Sequence, residues 1–152
     1  MKTIQIEDKE YILEFTFEAA EHKLLVQKMF DMVSGAYLVK GADDIDNPSP
    51  ADMITGTANM FSNIPEVCNI AFYAGFLENN PVDETEAKKI MRAYMKANDL
   101  SYPELFEEIK EEMEKDGFFR NTGLDKMMQT IAGQEPEKEP KKPQDHKKKT
   151  TK

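Results

Sequence analysis

The chain reads as an α+β protein, mostly α, in which an N-terminal β-hairpin packs on a five- or six-helix body. Three observations predict that class. Apolar residues alternate with polar ones up to Phe17 and then switch to helical spacing. Helix-start signatures recur along the remainder, with Asn63, Asp83 and Ser101 each followed three residues later by a glutamate. Finally, the eleven residues between Glu66 and Glu78 carry no charge, as a helix buried on several sides requires.

Lys2 to Ile6 and Tyr11 to Phe17 are the two expected strands, joined through Glu7-Asp8-Lys9-Glu10. In the second, Tyr11, Leu13, Phe15 and Phe17 fall on one face, so that aromatic face is expected to lie on the helices. From Glu18 a helix runs to Ser34-Gly35, with Val26, Met29, Phe30, Val33 and Tyr37 on one side. Residues 41–50 concentrate turn formers. Asp43, Asp44 and Asp46 within them lack the spacing and the closing glutamate of a calcium loop, so no metal site is expected.

Ser49 caps a short helix expected over Pro50 to Phe61, weakened by Gly56. A separate central helix then starts at the Asn63/Glu66 capping box, with Pro65 in its first turn and Asn79-Asn80-Pro81 as its stop. Its uncharged part rises about 16 Å at 1.5 Å per residue, far short of the ~30 Å hydrocarbon layer, so it is a core helix. After Asp83 comes an amphipathic helix with Ala87, Ile90, Met91, Tyr94 and Met95 inward. After Ser101 comes another, with Leu105, Phe106, Ile109 and Met113 inward and Gly117 at its C-cap. The outer face of this last helix is acidic (Glu104, Glu107, Glu108, Glu111, Glu112, Glu114) and is expected to be a solvated face. Phe118 and Phe119 fold back on the core. Asn121 opens the final helix, with Leu124, Met127, Met128 and Ile131 in register and Gly133 at its end.

Residues 134–152 contain no aliphatic or aromatic side chain and are expected to be disordered, which leaves residues 1–133 as a single domain. They hold seven lysines against four acids. The net charge of −9 therefore becomes −12 over residues 1–133. Such a body repels phosphates, so no nucleic acid is expected as a partner. No apolar run reaches membrane-spanning length and the N-terminus lacks a signal-peptide pattern, which predicts a cytoplasmic protein that inserts in no membrane. The single cysteine, Cys68, sits in the uncharged helix and fits a reducing compartment as a small buried hydrophobe. Neither His22 nor His146 has a ligand or nucleophile at working spacing, and no glycine-rich phosphate loop, nucleophile elbow or C-x-x-C pair occurs. These residues predict no enzyme, no cofactor and no metal, but a mostly helical protein-binding domain.

The segments Tyr11 to Ala20 (YILEFTFEAA) and Lys28 to Tyr37 (KMFDMVSGAY) resemble the tail assembly chaperones of long-tailed phages of Gram-positive bacteria. The uncharged helix from Ile64 to Leu77, the acidic helix ending in Asp116-Gly117-Phe118-Phe119 and the lysine-rich tail follow the same layout. The resemblance implies a non-enzymatic protein, absent from the mature virion, that binds the tape measure protein, keeps it soluble and delivers it to tail tube subunits during tail morphogenesis. It also implies a longer product of programmed frameshifting near the end of the reading frame, through which tail tube protein is recruited. Lys147-Lys148-Lys149 is compatible with a slippery codon run and equally with ordinary tail lysines.

Ten methionines suit packing against varied apolar stripes. The expected protein contacts are Met29, Phe30, Val33, Met91, Met95, Met127 and Met128, although residues of such stripes are more often plain core. A homo-oligomer is also compatible with the sequence. The competing reading is a small acidic regulatory adaptor that occupies a basic surface on a nucleic-acid-binding partner, with the −12 body as its active feature.

Overall fold

The structure, a computed structural model, describes residues 1–131. The expected helix end at Gly133 and the tail 134–152 lie outside the described residues. Strands β1 (Lys2–Ile6) and β2 (Lys9–Leu13) pair antiparallel with Ile4 opposite Tyr11. The loop is only Glu7-Asp8, and Glu7 takes a left-handed conformation (φ 53°), so β2 begins two residues earlier than the alternation suggested.

The second strand also ends early, at Leu13 rather than Phe17, for a traceable reason. Leu13 already faces Lys2, so β1 has no ladder partner to offer beyond it. The next two amides turn to other acceptors: Glu14 N–H donates to the Gly75 carbonyl (2.8 Å) and Phe15 N–H to Asp116 Oδ2 (2.9 Å). Leu13 and Phe15 stay buried, as predicted, whereas Phe17 is 70% exposed at the start of a helix. The outer edge of β2 is closed by Asn80, whose side-chain amide accepts from Ile12 N–H (3.3 Å) and donates to Ile12 C=O (2.7 Å).

Eight helices follow among the described residues: α1 (Phe17–Glu21), α2 (Lys23–Val33), α3 (Ala36–Val39), α4 (Pro50–Phe76), α5 (Glu84–Asn98), α6 (Tyr102–Asp116), α7 (Phe118–Thr122) and α8 (Leu124–Ile131). Five of them have eight residues or more, which matches the expected body of five or six helices. The single helix expected from Glu18 to Ser34 is broken at His22, whose backbone is extended and whose Nδ1 accepts from Leu25 N–H (3.3 Å) to cap α2. The N-terminus of α1 is satisfied from far away, by Glu78 accepting from Glu18 N–H (2.9 Å). Gly35 (φ 73°) separates α2 from α3.

The largest departure is α4, one continuous helix of 27 residues where two were expected. It starts as predicted at Ser49, which forms a reciprocal capping box with Asp52. The second box never forms, because its side chains are used otherwise: Asn63 donates to the Asn59 carbonyl (2.7 Å) and Glu66 pairs with Lys28 (3.0 Å). Pro65 therefore lies inside the helix. The carbonyl it deprives of a helical donor, that of Phe61, belongs to a turn whose residues Phe61 and Ser62 are exposed.

The C-terminal half of α4 is the axis of the core. Ile64, Val67, Cys68, Ala71, Phe72, Ala74 and Phe76 are buried, with α5 and α6 against this half and β2 across its end. Phe72 stacks edge-on to Phe76 (5.7 Å between centroids) and beside Tyr94 of α5 (6.2 Å). Asp83 and Ser101 cap α5 and α6 as expected, and Gly117 (φ 80°) ends α6. Phe118 and Phe119 are buried in α7, so the last helix opens at Leu124, after the left-handed Gly123, rather than at Asn121.

Candidate binding surfaces

The acidic face of α6 is only partly the solvated surface the sequence suggested. Glu108, Glu112 and Asp116 recur every four residues, and this row looks inward at the hairpin. Glu108 pairs with Lys2 (2.8 Å) and accepts from the Tyr94 hydroxyl (2.8 Å), while Lys2 lies over the Tyr94 ring (5.2 Å). Burial pushes the Glu108 carboxyl up, but the hydrogen bonds from Lys2 and Tyr94 outweigh it and hold the group below its ordinary value. Asp116 secures the Phe15 amide, and Glu112 and Asp116 both face the Met1 amino group. Glu104, Glu107, Glu111 and Glu114 remain exposed.

The seven expected contact residues divide into three groups. Met29 and Met91 are fully buried in the core and offer no surface, which corrects their assignment. Phe30 and Met95 are partly buried at the margin of the core, on different helices, α2 and α5. Val33 and Met128 come together, and Met127, 43% exposed, follows on the same helix as Met128.

They meet at a cleft of about 580 Å3. One wall is the end of α2, through Met32 and Val33; the floor is Phe106 and Phe119; the other wall is α8, through Met128. Lys110, Glu114, Arg120 and Asp125 supply two charges of each sign around it. An apolar floor with a sparse charged rim suits an amphipathic segment that places one or two large apolar side chains inward and its polar face outward. Among the lining residues, Phe106 and Phe119 were foreseen as core. Their dual role as floor was not, because only the turn at Gly117 brings α7 beside α6.

A second apolar surface was not anticipated. The N-terminal part of α4 is a helical arm from Pro50 to Asn63, against which α3 packs so closely at Gly56 that an added Cβ would lie 1.9 Å from the Leu38 carbonyl oxygen. On the side of the helix away from Gly56, Ile54 (74% exposed), Ala58 and Phe61 (51% exposed) form a stripe at i, i+4, i+7. Spreading the apolar residues of Pro50 to Phe61 over a helix expected to be short concealed that stripe.

Among the described residues, Cys68, His22 and Asp44 have settled structural places. Burial pushes the Cys68 thiol up to about 12, so it is neither thiolate nor nucleophile at neutral pH. His22 serves as a helix cap and lies edge-on to Tyr73 (5.9 Å). Asp44 accepts from the amides of Asp46 and Asn47, closing its own turn. Among the described residues no three His, Cys, Asp or Glu side chains gather in a metal-binding group, and no helix is long and apolar enough to cross a membrane. Comparison with known proteins gives no match to this chain, whether among family models, curated sequences or solved structures.

Proposed function

We propose that this protein is a tail assembly chaperone, which takes up apolar helical segments of a tape measure protein in the cleft between α2, α6, α7 and α8. The observation that carries the reading is the cleft itself, where two methionines and a valine border two phenylalanines under a rim of balanced charge. Methionine is unbranched and polarisable and packs against stripes of differing shape, which a protein holding many successive helical turns of one client needs. The likeness of Tyr11 to Ala20 and Lys28 to Tyr37 to that family supports the same reading. In this role the chaperone shields the client until tail tube subunits polymerise around it, and a longer frameshifted product supplies the contact to the tube protein.

The acidic-adaptor reading draws less support, since Glu108, Glu112 and Asp116 are engaged with the hairpin and Tyr94 instead of facing outward. Co-expression with a tape measure protein distinguishes the two. The chaperone reading expects that client to become soluble and to precipitate again with Val33→Asp or Met128→Glu, while circular dichroism melting of the variants stays near wild type. Binding that ignores both substitutions and vanishes with added salt overturns it in favour of the adaptor. Mass spectrometry of material expressed from the native gene region tests the longer product separately: two species sharing residues 1 to about 145 are expected.

A further inference from the structure

We propose that the Ile54–Ala58–Phe61 stripe is a self-association surface, on which α4 of a second copy of this chain packs antiparallel. The first argument is charge. Residues 1–133 carry −12, so two copies that approach through most faces oppose like charges. From Met53 to Pro65 there is no charged residue at all, and the stripe is the solvent-facing side of that segment. Here a second copy meets no repulsion, whereas a strongly basic partner finds nothing to pair with.

The second argument is that the stripe matches itself. An isologous contact brings residue i of one copy opposite residue j of the other and the reverse, with i and j related by a two-fold axis. With the axis between Thr57 and Ala58, Ile54 of each copy meets Phe61 of the other. Thr57 and Ala58, small and exposed, then lie at the crossing point and let the backbones approach. Gly56 and α3 lie on the opposite side of the helix and do not obstruct the approach.

The area sets the strength. Phe61, about half-exposed, offers on the order of 100 Å2 of ring surface, and the whole stripe a few times that, against the ~800 Å2 per partner of a standard interface. The dimer is therefore weak and concentration-dependent.

Sedimentation velocity of the full chain, from low micromolar to several hundred micromolar, reads the effect as a twofold rise in mass that reverses on dilution. Ile54→Glu and Phe61→Lys should each hold the chain at monomer mass without lowering its melting temperature, because both positions face solvent. Thr55→Glu, off the stripe on the same exposed arm, should leave dimerisation intact. The double variant Ile54→Glu/Phe61→Lys should dimerise again, since the glutamate of each copy then meets the lysine of the other, one pair on either side of the axis. A wild type that stays monomeric throughout overturns the proposal, even if a client helix covers the stripe. A dimer indifferent to Ile54→Glu and Phe61→Lys, or singles that the double variant does not rescue, overturns it as well.

Discussion

Two glycines inside α4 look alike in sequence and should respond differently to alanine. At either position the new methyl adds about 1 kcal/mol of helix propensity, so with no obstruction both variants would be more stable. At Gly75 the Cβ would sit 2.6 Å from Leu13 Cδ1 and 2.9 Å from Phe15 Cε1, both side-chain atoms that yield by rotation within the core. Overpacking of that kind costs roughly 1–3 kcal/mol, so Gly75→Ala should range from neutral to about 2 kcal/mol destabilised. At Gly56 the obstacle is backbone: Leu38 O at 1.9 Å, C at 2.5 Å and Cα at 2.7 Å. Nothing rotates away, so α3 has to retreat as a unit, withdrawing Tyr37 from its buried site. Losing the burial of one large side chain costs roughly 2–3 kcal/mol. Set against the propensity gain, the net loss for Gly56→Ala is about 1–2 kcal/mol. For a chain of this size that lowers the melting temperature by roughly 2–8 °C. The decisive assay is amide hydrogen exchange. Leu38 N–H (to Gly35) and Ala42 N–H (to Val39) should lose protection in Gly56→Ala and keep it in Gly75→Ala. A Gly56→Ala protein that melts higher than wild type with those amides still protected would refute the close approach of α3.

Three further outcomes follow from the core and its edges. Phe72→Asp should cost more than about 4 kcal/mol, since it removes a buried ring and places a carboxylate among Phe76, Tyr94 and the α4 core; urea denaturation reads it, and an unchanged midpoint would mean that this part of α4 is exposed. The Glu108 carboxyl titrates lower folded than unfolded, so its contribution is complete above the unfolded value near 4.5 and disappears as pH falls through the folded one. Glu108→Gln should therefore lower stability at neutral pH and flatten its decline below about pH 4.5, and an identical acid limb in both proteins would count against the Lys2–Glu108–Tyr94 network. Cys68, held as a thiol by burial, should resist alkylation in the folded protein at mildly alkaline pH and react fully in denaturant; rapid labelling of native protein would contradict its packing.

What could be read from the residues alone was whatever depends on local chemistry. The capping residues Ser49, Asp83 and Ser101 act on their own next turn, so sequence spacing revealed them. The uncharged run after Glu66 had to be buried wherever the chain went. The errors share a different cause, competition from distant groups. Asn63 and Glu66 have capping-box spacing, but Asn59 and Lys28 claim their side chains. Phe17 continues the alternation of β2, yet the chain has already been diverted by Gly75 and Asp116, residues about sixty and a hundred positions away. The acidic face of α6 looked uniform because periodicity cannot tell that every fourth carboxylate has the hairpin for a neighbour. For the contact residues the limit was similar: helical spacing groups Met29 with Phe30 and Val33, and only packing separates the buried Met29 from Val33 at the cleft.

The two apolar surfaces differ in how they are attached, and that difference suits different tasks. The arm of α4 is continuous with the most deeply buried helix of the protein, joined to it across Pro65, so its stripe is presented on an extension of the core helix. A stripe with bulky ends and a small middle favours one partner geometry, as a two-fold contact requires. The wall formed by α8 is anchored more lightly. It joins the body through Gly123, which has no neighbour within 4 Å of where a Cβ would stand, and its buried anchor is Leu124 in the first turn. Beyond that anchor, Met128 is only partly buried where it packs against the core, and Met127 is 43% exposed. A cleft walled in part by unbranched, polarisable methionine suits the proposed uptake of apolar segments of unequal size. The proposed self-association stripe thus lies on the arm of α4, and the proposed client cleft is bounded by α2 and α6, which pack on the same helix.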